Sequence, residues 1–138
     1  MKPILLIFSA ALTGWLLAGC HLGRGPLLPQ ESTKYSIEST EKFALIDEPT
    51  QLSVTCTGLQ ERINPAGLLE VTANVKNREN RALVVEIRCV FKDDNGFSTL
   101  DETPWSALTL GAGVTEAVHY TAVNHLAHRY TIVVRGAQ

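Results

Sequence analysis

With 138 residues, 45% of them apolar, the chain can fill one sizeable core but cannot hold a second domain. Twelve lysines and arginines against fourteen acids give a formal charge of −2. No basic cluster stands anywhere along the sequence, which excludes nucleic acid as a partner class, because phosphate binding needs clustered cations.

The chain opens with Lys2, then the apolar run from Ile4 to Leu17, then small residues before Cys20. That run is 14 residues long, against roughly 20 for a membrane-spanning helix. Gly14, Gly19 and Pro26 make a poor extension of it, so a cleaved secretory signal over residues 1–19 is favoured over an anchor helix reaching towards Arg24. Leu17-Ala18-Gly19-Cys20 resembles the bacterial lipobox, which implies a diacylglyceryl group on the Cys20 thiol and cleavage just before it. Cleavage would leave 119 residues and, with Lys2 gone, a formal charge of −3. At ~0.8 kcal/mol per buried methylene, two or three acyl chains on Cys20 hold permanently where a single chain binds reversibly. Membrane lipid is thus the first expected partner. His21, not Asp, follows the cysteine, so the expected address is the outer membrane, facing the periplasm, in a host that sorts by that rule.

From His21 to about Pro49 the sequence carries Gly23, Gly25, Pro26, Pro29 and the polar run Gln30 to Lys34, without a period of 2 or 3.6. Residues 20–50 therefore read as the lipidated cysteine and a tether, with an edge strand expected at Phe43 to Ile46. Beyond residue 50 the pattern alternates. Leu69, Val71, Ala73 and Val75 fall on one face and Glu70, Thr72, Asn74 and Lys76 on the other; Leu83, Val85, Ile87, Cys89 and Phe91 repeat the pattern after the polar turn at Arg78 to Arg81. The two segments are expected to pair as a long hairpin. Asp94-Asn95-Gly96 predicts a two-residue hairpin turn and an antiparallel return through Phe97 to Trp105. Leu108 and Leu110, a turn at Gly111 and Gly113, alternation over Val114 to Ala122, and the set Tyr130, Ile132 and Val134 complete about seven strands. The sole helical candidate after residue 50 is Val123 to His128. The fold class that follows over residues 51–138 is all-β, an immunoglobulin-like antiparallel two-sheet sandwich, with Tyr130 in the place of a tyrosine corner.

Cys56 and Cys89 form an even pair in an oxidising compartment, each on the apolar face of its strand. In a simple meander their strands would flank a third and lie about 9.6 Å apart, too far to bond. With the two strands adjacent or in facing sheets a disulfide could form, so a bridge and two buried thiols both stand as readings.

No cofactor is expected. His125 and His128 are spaced His-x-x-His, but no Cys or carboxylate lies beside them in sequence, and solvated corner residues are favoured over metal ligands. Asp93, Asn95, Gly96 and Glu102 match part of a calcium-loop register whose first position is Phe91, so a hairpin turn explains them better. Asp93-Asp94 and Asp101-Glu102 are neighbours that point to opposite faces of a strand. The chain has no Gly-x-Ser-x-Gly elbow, phosphate loop or Cys-x-x-Cys, so no catalytic residue is assigned and an enzyme is not expected. Trp105, after Pro104, either caps the sandwich, which is favoured, or forms a binding hot spot.

Asn74-Val75-Lys76-Asn77, Phe91-Lys92-Asp93-Asp94-Asn95-Gly96, Thr103-Pro104-Trp105, Leu108-Thr109-Leu110 and Ala127-x-x-Tyr130-x-Ile132-x-Val134-Arg135 occur in this order. The set resembles the YcfL-like small periplasmic lipoproteins over approximately residues 50 to 135. That resemblance implies an immunoglobulin-like sandwich on an outer-membrane anchor, with no established activity or catalytic residues. In some genomes it implies proximity to lipoproteins that activate peptidoglycan synthases. Two cysteines after the lipobox depart from what the resemblance leads one to expect of the core.

The expected function is a non-enzymatic, lipid-anchored envelope lipoprotein that presents its sandwich to an envelope protein or peptidoglycan-associated partner. Trp105, His125 and His128 are its candidate interaction surface. The competing expectation is a periplasmic carrier of a small ligand or metal, built on His125, His128 and nearby acids.

Overall fold

Two alternating segments with complete apolar faces can lie side by side in one sheet or face each other from two, and here they face each other. The computed structural model describes residues 41–138, so residues 1–19, read as a signal, Cys20, His21 and most of the segment 20–50, read as a tether, lie outside the described residues. In chain order the elements are β1 (Phe43–Leu45), α1 (Glu48–Ser53), β2 (Val54–Ile63), β3 (Leu69–Asn77), β4 (Leu83–Lys92), β5 (Ser106–Leu110), β6 (Thr115–Thr121) and β7 (Arg129–Gly136). Strands β1-β7-β4-β5 make one sheet and β2-β3-β6 the other, in a sandwich-like arrangement.

Strands β3 and β4 therefore sit in opposite sheets, which corrects the expected hairpin. Leu69, Val71, Ala73 and Val75 from one, and Leu83, Val85, Ile87, Cys89 and Phe91 from the other, bury in a common core. Phe43, Phe91, Ile87, Leu110 and Ile132 are among the largest side chains wholly inside it. Each such residue contributes about 1.5–3 kcal/mol by leaving water.

The sheets are not wholly antiparallel. Strand β1 runs parallel to β7, with Phe43 opposite Ile132 and Leu45 opposite Val134. Phe43 and Leu45 are buried, so the packed unit begins ahead of residue 51 and takes in part of the segment read as tether. Helix α1, unforeseen in the sequence, carries the chain from β1 in one sheet to β2 in the other. The stretch Val123 to His128, read as a helix, forms a turn instead; Ala127 alone of its apolar residues is buried.

Two hairpin loops share one design. In Asn64–Leu68 and Asp93–Phe97 the first residue's N–H donates to the fifth's carbonyl and its own carbonyl accepts from the N–H of the fourth, Gly67 (φ 79°) or Gly96 (φ 88°), which takes the left-handed conformation that favours glycine. The Asn64 Oδ1 accepts from the N–H groups of Ala66 and Leu68, as the Asp93 Oδ1 does from Asn95 and Phe97. The loop at Asp93 thus has three residues, not the expected two, and its carboxylate holds the turn rather than a cation.

All three loops of this kind of connectivity, Asn64–Leu68, Asp93–Trp105 and Ala122–His128, gather at one end of the sandwich, hereafter the loop end. The other end is closed by Asn77. Its Nδ2 donates to the carbonyls of Arg81 (2.7 Å), Gly111 (2.9 Å) and Leu110 (3.2 Å), and its Oδ1 accepts from the Glu79 N–H at 2.8 Å. One buried carboxamide so joins the β3–β4 crossing to the β5–β6 turn. Asn77→Ala should lower the unfolding free energy by about 3 kcal/mol through orphaned carbonyls, while Lys76→Ala, on the exposed face, should stay within about 0.5 kcal/mol; urea denaturation midpoints compare them.

Asp47 caps α1. Its Oδ1 accepts from the Thr50 N–H (2.9 Å) and hydroxyl (2.7 Å), and its Oδ2 from the Gly136 N–H at 2.7 Å. Burial pushes this carboxyl up, but the hydrogen bonds from Thr50 and Gly136 together outweigh it and hold the pKa below the ordinary value. The folded state therefore prefers the carboxylate. Its contribution is present above the unfolded pKa of about 3.9 and is lost as pH falls through the lower folded value. Asp47→Asn should cost about 1 kcal/mol at pH 7 and flatten the stability loss between about pH 5 and 3, measured by urea titrations at each pH.

Candidate functional site

The outer face of the four-stranded sheet carries the one tryptophan beyond residue 20. Strand register sets its neighbours: Ile87 pairs with Ser106 and Glu86 with Arg135, so Arg88, Trp105 and Arg135 share the solvent side of β4, β5 and β7. Thr103 fixes the approach to β5, its hydroxyl accepting from the Cys89 N–H at 2.8 Å and its own N–H donating to the Cys89 carbonyl at 3.0 Å. The Trp105 ring then lies against two guanidinium groups, 4.7 Å from Arg88 and 4.1 Å from Arg135, measured to the ring centroid. Such contacts are worth about 0.5–2 kcal/mol each as desolvation increases.

Carboxylates hold both arginines flat. The Arg135 Nε donates to Glu86 at 2.6 Å and the Arg88 Nη1 to Glu102 at 3.0 Å. Arg88 Nε is buried and makes no hydrogen bond among the described residues. Trp105 stays half-exposed. It neither caps an end of the sandwich, as favoured from sequence, nor enters the core; it roofs a pair of arginines on a sheet face. The reason is register: Trp105 sits just ahead of the first paired residue of β5, at a position whose side points outward.

The two histidines sit elsewhere, on the β6–β7 connection at the loop end. His125 Nδ1 lies 3.1 Å from the Gly67 carbonyl, an acceptor only, so that nitrogen carries the proton. His128 Nδ1 is 3.8 Å from Asp94. The imidazoles thus serve different partners, and among the described residues no group of three His, Cys, Asp or Glu could hold a metal ion. The structure separates Trp105 from the histidine pair it was grouped with.

Cys56 and Cys89 lie in opposite sheets and are not joined by a disulfide in the structure; Cys89 is buried, whereas Cys56 is partly exposed. The Cys56 Sγ donates to the Gly58 carbonyl at 3.3 Å, across a β-bulge between those residues. Cys89 is fully buried; burial, reinforced by the Asp101 carboxylate, pushes its thiol up to about 12. A thiol so protonated at neutral pH is no nucleophile.

Tyrosines bridge the sheets on both flanks of the core. Tyr120 on β6 meets the Ser106 hydroxyl, and Tyr130 on β7 meets the Glu61 carboxylate on β2. Burial, then Glu61, pushes the Tyr130 phenol up to about 12. Lys42 completes this cluster, 2.7 Å from Glu61 and 5.5 Å from the centre of the Tyr130 ring. Tyr130 thus ties sheet to sheet through a side chain, unlike the backbone-directed tyrosine corner expected of it.

A family model described as a protein of unknown function, DUF1425, matches residues 46–136. The chain belongs to the DUF1425 family. A Campylobacter jejuni crystal structure, cj0090, superposes with a TM-score of 0.58 at 23% identity, covering 71% of this chain and 100% of that one. A DUF1425 family member from Shewanella sp. pv-4 gives a TM-score of 0.57 at 22% identity, covering 67% and 87%. At such identities the likeness is one of fold. No curated protein matches the chain. The DUF1425 segment contains Trp105, both arginines, both thiols and all three loops of the loop end.

The arrangement around the thiols has a chemical readout. With both cysteines free, unfolding in urea without reductant should leave two alkylatable thiols after residue 20. In the native DUF1425 domain at pH 8, Cys56 should react with iodoacetamide at least about ten times faster than Cys89, since only thiolates react; peptide mass spectrometry reads both rates. Equal protection of the two until reductant is added would instead mark a disulfide.

Proposed function

We propose that this DUF1425 protein is a lipid-anchored envelope lipoprotein of the YcfL-like kind, held through acylated Cys20 in the outer membrane. Its sandwich is a non-enzymatic accessory module in the periplasm that presents an interaction surface to an envelope protein or peptidoglycan-associated partner. The observation that carries the reading is the Trp105 platform. Tryptophan and arginine are the residues that dominate protein interfaces, above all where their mutual contacts fix them before a partner arrives. Here the ring and both guanidinium groups are already immobilised by Glu86 and Glu102, on a sheet face that no other part of the described chain covers. The lipobox-like Leu17 to Cys20 supports the anchor, and the family match, which names no enzymatic activity, accords with an accessory role.

Two substitutions test the two halves of this reading. Cys20→Ser should shift the protein from the membrane to the soluble fraction of the envelope while the sandwich stays folded; unchanged fractionation refutes the anchor. A photo-crosslinking residue at Ala107, beside Trp105 on β5, should capture a discrete partner in intact cells, whereas one at Thr115 on the other sheet should not. Trp105→Ala should cut the Ala107 adduct at least about tenfold, as loss of a tryptophan hot spot of 2 kcal/mol or more requires. Equal capture at both positions would remove the platform from the proposal.

A further inference from the structure

Among the described residues five large apolar side chains are more than 60% exposed: Leu100 (93%), Val123 (78%), Phe97 (72%), Leu126 (66%) and Ile63 (61%). All five stand at the loop end. Ile63 closes β2, Phe97 and Leu100 lie on the β4–β5 connection, and Val123 and Leu126 on the β6–β7 connection. These connections are locked together: the Val123 N–H donates to Asp101 (3.2 Å), the Asn124 Nδ2 to the Thr99 carbonyl (3.4 Å), and the His128 N–H to the Lys92 carbonyl (2.9 Å). Thr99, on whose other side Asp101 also bonds, holds the tip so that Leu100 takes φ 64°, a left-handed backbone uncommon for a bulky side chain. Exposed apolar surface held in a costly conformation is the opposite of what folding alone favours.

The position of Glu41 says what covers it. Because β1 runs parallel to β7, Glu41 lies where β7 leaves its loop: the Thr131 hydroxyl donates to the Glu41 carbonyl at 2.8 Å, and Arg129 pairs with the Glu41 carboxylate. The segment leading back to Cys20 therefore leaves from the loop end. Twenty residues lie between Cys20 and Glu41, a span of at most about 70 Å in any conformation.

We propose that the loop end rests on the bilayer that holds Cys20, with Phe97, Leu100, Val123, Leu126 and Ile63 inserted into its interfacial layer. This rests on the reading that Cys20 is acylated. The rim suits the apolar interface of a zwitterionic surface rather than an anionic headgroup. Asp93, Asp94, Asp101 and Glu102 surround the tips, while Lys92 is bound to Thr131 and Arg129 to Glu41.

The test uses the full-length acylated protein in vesicles of phosphatidylethanolamine and phosphatidylcholine. In a Trp105→Phe background, a single reporter is placed at the loop end (Phe97→Trp) or at the opposite end, in the exposed β5–β6 turn (Ala112→Trp). Lipids brominated near the headgroup should quench the reporter at 97 at least about twofold, as insertion by 5–10 Å requires, and leave that at 112 unaffected, at low and high salt alike. Both positions are exposed, and a thermal melt confirms the fold of each variant. Acylated protein with an unquenched reporter at 97 overturns the orientation and leaves the anchor standing. A reporter at 97 already blue-shifted without vesicles, and indifferent to brominated lipid, shows the patch covered by the chain's own residues 21–40 or by a second copy, and also overturns it. Absence of an acyl mass on the Cys20 peptide overturns the anchor and this orientation together.

Discussion

The carboxylate of Asp47 locks a junction that the core burial of Phe43 and Leu45 alone would leave to one short strand. Strand β1 has only three residues paired to β7, and a parallel pairing of that length is marginal by itself. The three hydrogen bonds that Asp47 accepts tie the end of β1, the first turn of α1 and the end of β7 into one unit. The Gln51 side chain adds a bond back to the Leu45 carbonyl at 2.9 Å. Once β1 is held parallel to β7, the direction of the chain is decided. It arrives at the loop end, crosses to the opposite end, and passes through α1 into the second sheet.

The two ends are built from opposite uses of polar groups. At the α1 end, the Asn77 carboxamide, on β3, bonds to backbone of two other segments, so its removal would be felt by β3, by the crossing to β4 and by the β5–β6 turn together. At the loop end, the Oδ1 atoms of Asn64 and Asp93 accept from the backbone of their own turns, and the Asn64 Nδ2 donates to the Glu70 carboxylate at 3.1 Å. Each of these turns is held from within, and the apolar tips of the two longer connections, Phe97 and Leu100 on one and Val123 and Leu126 on the other, stay exposed among the described residues. The same economy explains the Trp105 platform. Glu86 and Glu102 each fix one arginine, and the ring fixes both.

The inner faces of β3, β4 and β7 were legible because alternation over seven or more residues has one physical meaning in a buried sheet. What alternation cannot say is which sheet a strand joins, and the β3–β4 hairpin failed for that reason: two equally apolar strands fit facing sheets as well as neighbouring positions. Half of β2 was hidden by its composition, since Gln60, Glu61 and Arg62 are exposed on both faces and reach β3 through a bulge at Thr57. Helix α1 did carry a signal, Asp47 before Glu48-Pro49, an N-cap followed by an early proline, but six residues are too few for periodicity to show. In the candidate site, Trp105 was visible and its setting was not. Arg88 and Arg135 reach it from strands distant in sequence, through a register that only the folded sheet supplies. Phe97 and Leu100 offered a cue of another kind, apolar residues inside a polar, turn-rich stretch where no strand could bury them.

The proposed membrane contact and the proposed partner face make different energetic demands, and the geometry divides them sensibly. A few partly inserted side chains, each worth at most about 1.5–3 kcal/mol if wholly buried, would give a free domain only weak, reversible attachment. Joined to an acylated Cys20 within about 70 Å, the same contact is effectively intramolecular, at a local concentration in the millimolar range or above. Weak insertion is then enough to fix orientation without competing with the anchor. With the loop end down, strands β4, β5 and β7 stand away from the bilayer, and Trp105 faces sideways along it rather than into it. A partner that recognises that platform meets the tryptophan and two arginines already immobilised, and loses little conformational entropy in binding them. On the proposed reading anchoring falls to Cys20, orientation to the loop end and recognition to the Trp105 face; orientation depends on the anchor, whereas the contacts that hold Trp105 depend on neither.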